Sequence, residues 1–291
     1  MVSGPLDAAS SPLALPAARQ RGAISVRWDG FEAITRRIAE ETPVAIIYNK
    51  LSYAVMMATP ADLEDFGTGF SITERIVSDP RQITGIEVRD TGLGVELRIG
   101  IEKSGFRDQL VTRRGNVTGR TGCGLCGIRR LEDAVPRLPP VPAGKRVHAS
   151  AIRRALNDLA SGQSLNAETH AVHAAAWAAS DGSLLTIRED VGRHNALDKL
   201  VGAMATGGID SQTGFCVITS RCSYEMVQKA ALAGISVIVA ISAPTELAIR
   251  QAEATGLTLV ALARSDGFAI HANSGRIIIP SVSRPVSIPT N

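Results

Sequence analysis

Aromatic residues are scarce in this chain, at 4% of 291 residues. Nucleic-acid modules that read unpaired bases stack them on aromatic side chains, so that class is excluded. Charge of one sign is also in short supply. A formal net charge of +3 is too small to coat a phosphate backbone, although local basic clusters can still hold a phosphorylated small molecule. Cysteine occurs only at positions 123, 126, 216 and 222. Four in so long a chain make no disulfide framework, and they point to a reducing, cytoplasmic setting. No uncharged apolar run reaches about 18 residues, so no segment reads as a membrane span. Residues 1–22 lack a basic start followed by a long apolar stretch. They read as a disordered tail and not as a secretory signal.

What is present is an aliphatic chain, 45% hydrophobic, long enough for about two domains of roughly 150 residues. Residues 23–130 read as an α+β unit. AISVRWDG and PVAIIYNKLSYAVMMATP alternate like strands, with Asn49-Lys50 at a hairpin turn. TPADLEDFGTGFSITERI reads as a helix capped by Thr59 or Asp62, with Leu63, Phe66 and Phe70 at helical spacing. ITGIEVRD and GVELRIGIE form a second strand pair. Residues 131–146 carry four prolines and read either as a stiff linker or as an ordered surface loop.

Residues 147–285 change rhythm. HASAIRRALNDLASG and ETHAVHAAAWAAS read as helices, which puts His173 on an apolar helix as a core residue. Three strand-to-helix passages follow, LLTIREDVGRHNALDKLVGAMATGG, GFCVITSRCSYEMVQKAALAG and SVIVAISAPTELAIRQAEATG, and then the strand LTLVALA. Alternating strands and helices predict a mainly parallel sheet with helices on both faces. Right-handed crossovers place the three strand-to-helix turns along one edge of that sheet.

Two kinds of chemistry stand out. TGRTGCGLCGIRR, residues 118–130, sets Cys123 and Cys126 among glycines that forbid a comfortable helix or strand. Arg113, Arg114, Arg120, Arg129 and Arg130 surround the pair with positive charge, which favours the reactive thiolate. A structural zinc site needs four ligands and one Cys-x-x-Cys supplies two. A thioredoxin-type dithiol sits at a helix start, which glycine disfavours. The third reading is a thiol that forms a persulfide or mixed disulfide with partners.

The second kind lies at the strand-to-helix turns SRCSYE and SAPTEL. A helix N-terminus suits phosphate, and Ser220, Arg221, Ser223, Ser242 and Thr245 add hydroxyl and guanidinium contacts. The alternative is that the Ser and Thr residues are simple helix caps. In EDVGRHNALDK, Glu189, Asp190, Arg193, His194, Asn195 and Asp198 read as lining a pocket at the same edge, the alternative being a solvated loop with Asn195 capping the helix. Cys216 reads as a buried strand thiol, and Cys222 as a small filler.

The blocks ETPVAIIYNK, TPADLEDFGTGF, CGLCG, VHAAA, REDVGRHNALDK, CSYEMVQKAALAG and VIVAISAPTELAIRQAEATGLTLVALAR occur in one order between about residue 38 and about residue 268. In them the chain resembles the FdhD family, the formate dehydrogenase accessory sulfurtransferases. The resemblance implies a three-layer α/β/α C-terminal domain like the cytidine-deaminase fold, beside the smaller N-terminal α+β domain. It implies a sulfur carrier that moves sulfur from a cysteine desulfurase, through a persulfide on Cys123 with Cys126 beside it, to a molybdenum or tungsten bis-guanine-dinucleotide cofactor bound as cargo. Formate dehydrogenase is then the client. GDP-like nucleotides would mimic the cargo, and a homodimer is expected. The family's cofactor-binding stretch falls on Leu262, Ala263, Arg264, Ser265, Asp266 and Gly267. The chain departs from the family's usual residues at Leu262, where Phe is common, at Gly267, where Arg is common, at Thr169-His170-Ala171 and at His271-Ala272-Asn273-Ser274. Two rivals follow. A zinc nucleobase deaminase needs a Glu close after a ligand histidine and a Pro-Cys-x-x-Cys pair. Ala174 and Ala175 follow His173, and Gly122 precedes Cys123, so deamination is rejected. The other is a cofactor chaperone that delivers without sulfur chemistry, and no membrane or nucleic-acid partner is expected in any of these readings.

Overall fold

The structure is a computed structural model, and it describes residues 15–102 and 137–280. The first element is a hairpin of β1 (Ala18–Arg27) and β2 (Gly30–Ala39), paired along their whole length as a separate two-stranded sheet. The strand thus begins inside the segment expected to be a tail ending at residue 22. ARQRGAISVR carries no clean alternation, so its order comes from the cross-strand partner and not from its own pattern.

A four-stranded sheet follows, in the order β4 (Leu51–Ala58), β3 (Thr42–Tyr48), β6 (Val95–Ile101), β5 (Ile83–Asp90). β3 and β6 alternate strictly between buried and half-exposed positions. Their inner row, Val44, Ile46, Tyr48, Leu97 and Ile99, packs on Leu63, Phe66 and Phe70 of helix α1 (Leu63–Thr73). Asn49 and Lys50 both have positive φ, as a two-residue hairpin turn requires. The expected caps of α1 take other roles. Asp62 stands at the cap position with φ 51° and makes no capping bond, and Thr59 is engaged elsewhere, as described below.

The C-terminal sheet has six strands, in the order β13 (Gly267–Ala272), β12 (Thr258–Arg264), β11 (Val237–Ala240), β10 (Gly214–Ile218), β8 (His173–Ala179), β9 (Leu184–Asp190). β10, β11 and β12 run parallel, whereas β8, β9 and β13 are each antiparallel to a neighbour. The sheet is therefore mixed and not mainly parallel. β8, HAAAWAA, lies in the stretch that its alanines mark as helical. Ala174 to Ala178 are all buried in the sheet, where small side chains let layers close on both faces, and that packing overrides intrinsic helix preference.

One face of this sheet is covered by α2 (Ala149–Gly162), through Ala151, Ile152, Ala155 and Leu159. A short helix, α3 (Ser164–Thr169), follows it. The other face is covered by α4 (Arg193–Thr206), α5 (Tyr224–Leu232) and α6 (Glu246–Thr255), whose Leu197, Leu200, Met226, Val227, Ala248 and Ala252 meet Trp177, Cys216, Ile218 and Leu259. A two-stranded parallel pair, β7 (Val147–His148) with β14 (Ile277–Ile278), ties the two ends of this unit together. Residues 137–146 form an ordered surface loop. Val141 N donates to Thr255 O, Lys145 N donates to Gln212 O, and Arg276 donates to the carbonyl of Pro142. Of the two readings of the proline-rich segment, the ordered loop holds for these residues.

The two units meet where α1 crosses α4. A Cβ added at Gly69 would lie 1.7 Å from the Asp198 carbonyl oxygen, and one at Gly202 would lie 1.9 Å from that of Asp65. The helices touch backbone to backbone, which glycine alone permits. Gly69→Ala should therefore force the helices apart and cost about 3 kcal/mol. A thermal melt checks this, and a melting temperature within a degree of the parent would contradict it.

Candidate functional site

The crossovers bring the carboxyl ends of β9, β10, β11 and β12, and the start of β8, to one edge of the C-terminal sheet. The three strand-to-helix turns lie along it as expected, although β8 separates the first from the other two. The second and third turns are joined to each other. Cys222 N donates to Ala243 O at 3.2 Å, and Thr245 N donates to Cys222 O at 3.0 Å. Leu262 N donates to Ser242 O at 3.2 Å, which attaches the β12–β13 turn to the same ledge. Arg221, Ser242, Thr245, Leu262, Arg264, Ser265, Asp266 and Gly267 thus form one continuous strip. Arg221, Thr245, Leu262 and Arg264 to Gly267 are exposed, while Ser242 is half-buried and Ala263 is buried beneath them. Leu262 has φ 53°, in a register break between Ala261 and Arg264. This turns its side chain out of the ladder, leaving it 41% exposed at the strip.

The hydroxyls divide between the two readings. Thr245 accepts from Ala248 N at 3.3 Å and caps α6. Ser223 stands at the start of α5 but makes no capping bond, and it donates to Glu225 Oε2 at 3.1 Å. Ser220 donates to the Arg221 carbonyl.

The first turn divides as well. Asp190 is wholly buried and saturated. Its Oδ2 accepts from Thr59 N at 2.9 Å and pairs with Lys199 Nζ at 2.7 Å. Its Oδ1 accepts from Gly192 N at 2.8 Å and Asn195 Nδ2 at 2.9 Å. Asn195 also donates to Met57 O at 2.7 Å, and Thr59 Oγ1 accepts from Val191 N at 3.1 Å. These groups bolt the end of β4 to the head of α4. They do not line a pocket, because every bond is spent inside the protein. Asp198 is likewise internal, since both its oxygens lie 3.0 Å from Lys229 Nζ and Thr73 donates to it at 2.7 Å. Burial opposes the Lys229 charge, but the Asp198 and Glu74 carboxylates raise its pKa above the ordinary lysine value. Glu189 accepts from the Leu165 and Asn166 amides at the start of α3.

Arg193 and His194 face a different neighbour. His194 Nε2 lies 3.2 Å from Glu225 Oε2, which also receives Ser223. Glu225 Oε1 and Arg193 Nε are buried without a hydrogen-bond partner among the described residues. His173 sits on β8 and not on a helix. Burial lowers its pKa below the usual histidine value, and Arg193 and His194 push it the same way. The sequence does not single out Glu225, and its place two residues after a helix-start serine is the signal it offers. Burial raises both remaining thiols, Cys216 far up and Cys222 to about 12. They are core atoms and not reagents. Cys123, Cys126 and the five arginines around them lie outside the described residues. Among the described residues no group of three or more His, Cys, Asp or Glu side chains could hold a metal, and no helix is long and apolar enough to cross a membrane.

A layered α/β unit that lines up strand-to-helix turns beside a tightly docked α+β unit defines a protein built to present a polar ledge at one sheet edge. The chain belongs to the FdhD/NarQ family, whose model matches residues 39–278. It is 46% identical over 241 residues to a Bordetella petrii protein named "Sulfur carrier protein FdhD", covering 83% of this chain and 86% of that one. It is 48% identical over 245 residues to the Agrobacterium fabrum protein of the same name, covering 84% and 90%. In three dimensions it matches a crystal structure from Desulfotalea psychrophila, described provisionally as a formate dehydrogenase accessory protein. That match has a TM-score of 0.73 at 25% identity and covers 90% of this chain and 100% of the other.

Proposed function

We propose that this protein is a sulfur carrier, acting as a sulfurtransferase in the maturation of formate dehydrogenase. The observation that carries the reading is membership of the FdhD/NarQ family with a CGLCG motif at residues 123–127. Close relatives named as sulfur carriers support it. In this mechanism the Cys123 thiolate attacks the outer sulfur of a desulfurase persulfide. A new sulfur–sulfur bond forms on Cys123, the old one breaks, and the desulfurase cysteine leaves as thiolate. The oxidation level of the transferred sulfur is unchanged, so no outside oxidant or reductant enters this step. The Cys126 thiolate then attacks the inner sulfur of the Cys123 persulfide. A Cys123–Cys126 disulfide forms, the bond to the outer sulfur breaks, and sulfide leaves with the two electrons given up by the dithiol. An external thiol reductant restores the dithiol before the next cycle. The alternative is that Cys126 carries a second sulfur. The recipient is a molybdenum or tungsten bis-guanine-dinucleotide cofactor, held as cargo on the ledge of Arg221, Ser223, Ser242 and the 262–267 turn, with Arg193 and His194 behind it.

Backbone amides at two helix starts and two exposed guanidiniums suit the pyrophosphates of such a cargo. Replacing Arg221 and Arg264 together by Ala should weaken binding of GDP by about tenfold or more, since a hydrogen bond to a charged group contributes roughly 1.5–3 kcal/mol. Calorimetric titration of GDP into both proteins checks this. Equal affinity would remove the ledge from the mechanism, while the sulfur-acceptor role of Cys123 is tested separately by loading the protein with a desulfurase and cysteine.

A further inference from the structure

We infer that Glu225 and Arg193 select the rings of the cargo, by taking the 2-amino-oxopyrimidine edge that guanine and pterin share. The inference rests on the cargo reading above and names the side chains that would discriminate among rings. Glu225 lies in the first turn of α5, and Arg193 opens α4. His194 links them, since it follows Arg193 in the chain and its Nε2 lies 3.2 Å from Glu225 Oε2. Ser223 donates to that same oxygen at 3.1 Å. One carboxylate oxygen is thus engaged twice. The other, Oε1, is buried with no partner among the described residues, on a residue that is 9% exposed. Arg193 Nε is orphaned in the same way. The two side chains are opposite in charge, yet they form no ion pair with each other, and Glu225 has only His194 as a basic partner among the described residues.

The two orphans describe their ligand. Each carries the desolvation penalty of a charged group whose bond is unmade. The carboxylate turns phosphate away, and the guanidinium turns cations away. A neutral edge that donates to one and accepts from the other satisfies both. On the 2-amino-oxopyrimidine edge, the ring N–H and the exocyclic amine donate toward Glu225 Oε1, and the carbonyl accepts from Arg193. His173, at the start of β8, is held below the usual histidine range by burial first and then by Arg193 and His194, so it adds no competing charge. Ser223 joins the pair to the ledge, where helix-start amides suit the pyrophosphate of the same cargo. Hypoxanthine lacks the amine that Glu225 needs, and adenine places an amine where Arg193 needs a carbonyl. A site of buried polar groups rejects such analogues because its own groups are left unpaired.

The test uses the full-length protein and Glu225→Gln. In the variant His194 and Ser223 hold the amide oxygen, so a donor replaces the free acceptor at Oε1. Calorimetry with GDP and inosine diphosphate, and quenching of pterin fluorescence, are read on both proteins. The parent should bind GDP at least about tenfold more tightly than inosine diphosphate if the edge is guanine's, as loss of a hydrogen bond to a charged group predicts, and Glu225→Gln should bring that ratio to about one. If the edge is the pterin's, the variant should lose about tenfold in pterin affinity with the GDP ratio unmoved. A variant that matches the parent in both assays overturns the inference and leaves the cargo reading standing. A parent that binds neither GDP nor pterin removes the cargo reading and the inference with it. If Glu225→Gln fails to fold, Arg193→Gln at its half-buried position decides. A parental ratio near one, with pterin affinity indifferent to Arg193→Gln, then overturns the inference.

Discussion

Replacing Cys123 by Ala should abolish formate oxidation in a strain whose own maturation factor has been deleted, a loss of at least a hundredfold relative to the parent gene. The expected effect is near-complete because no other described thiol can substitute. Cys216 and Cys222 are buried, with pKa values raised far above neutrality by desolvation, and a thiol held protonated in a packed core is no nucleophile. Cys126→Ala should cost less, since Cys123 remains to accept sulfur. Formate-dependent dye reduction in cell extracts, with client protein measured by immunoblot, separates lost maturation from lost expression. If Cys123→Ala supported normal formate oxidation, the protein would deliver its cargo without sulfur chemistry.

The largest expected effect on stability lies at the junction of the two units. Lys199 and Asp190 form an ion pair in which both side chains are fully buried. Lys199 Nζ also donates to Thr59 O at 2.9 Å, so the pair spans the two sheets through the end of β4. Lys199→Met keeps most of the apolar stem of the side chain but leaves the Asp190 charge uncompensated. Breaking a buried pair in this way costs about 3–5 kcal/mol. Denaturant unfolding should show a drop of that order in a single transition, because the two units share the pair and the glycine crossing of α1 with α4. Adding Asp190→Asn should recover part of the loss, since it removes the stranded charge. A change below 1 kcal/mol, or two separate transitions in the parent, would contradict this reading of the junction.

Local patterns were legible where the chain decides its own shape. The Asn49-Lys50 turn, the alternation of β3 and β6, and the three strand-to-helix passages each follow from neighbours in sequence. The failures share a cause in distant partners. Ala174 to Ala178 read as helix because alanine is the best helix former, and only the layers closing on both faces make them a strand. Asp190 and Asn195 read as pocket residues because their polar density is visible in sequence, whereas Thr59 and Met57, which saturate them, lie some 130 residues away. Thr59 was expected to cap α1 for the same reason. The ledge was half legible. Its turns could be placed at one edge by the handedness of crossovers, but the bonds joining Ser242 to Leu262 and Cys222 to Ala243 belong to the folded sheet. Glu225 belongs to the folded sheet edge in the same way, with Oε2 beside His194 and Oε1 buried without a partner among the described residues.

The central claim is that Cys123 accepts the sulfur. The full-length protein, reduced and then incubated with a cysteine desulfurase and cysteine, should gain the mass of one sulfur atom, or of two if Cys126 also loads. Alkylation and peptide mapping should place the first on Cys123, and a reductant should remove it. The Cys123→Ala protein, folded by dichroism, should stay at its starting mass. Uptake of sulfur by that variant at the parental rate, or a parent protein that gains none, would contradict the account.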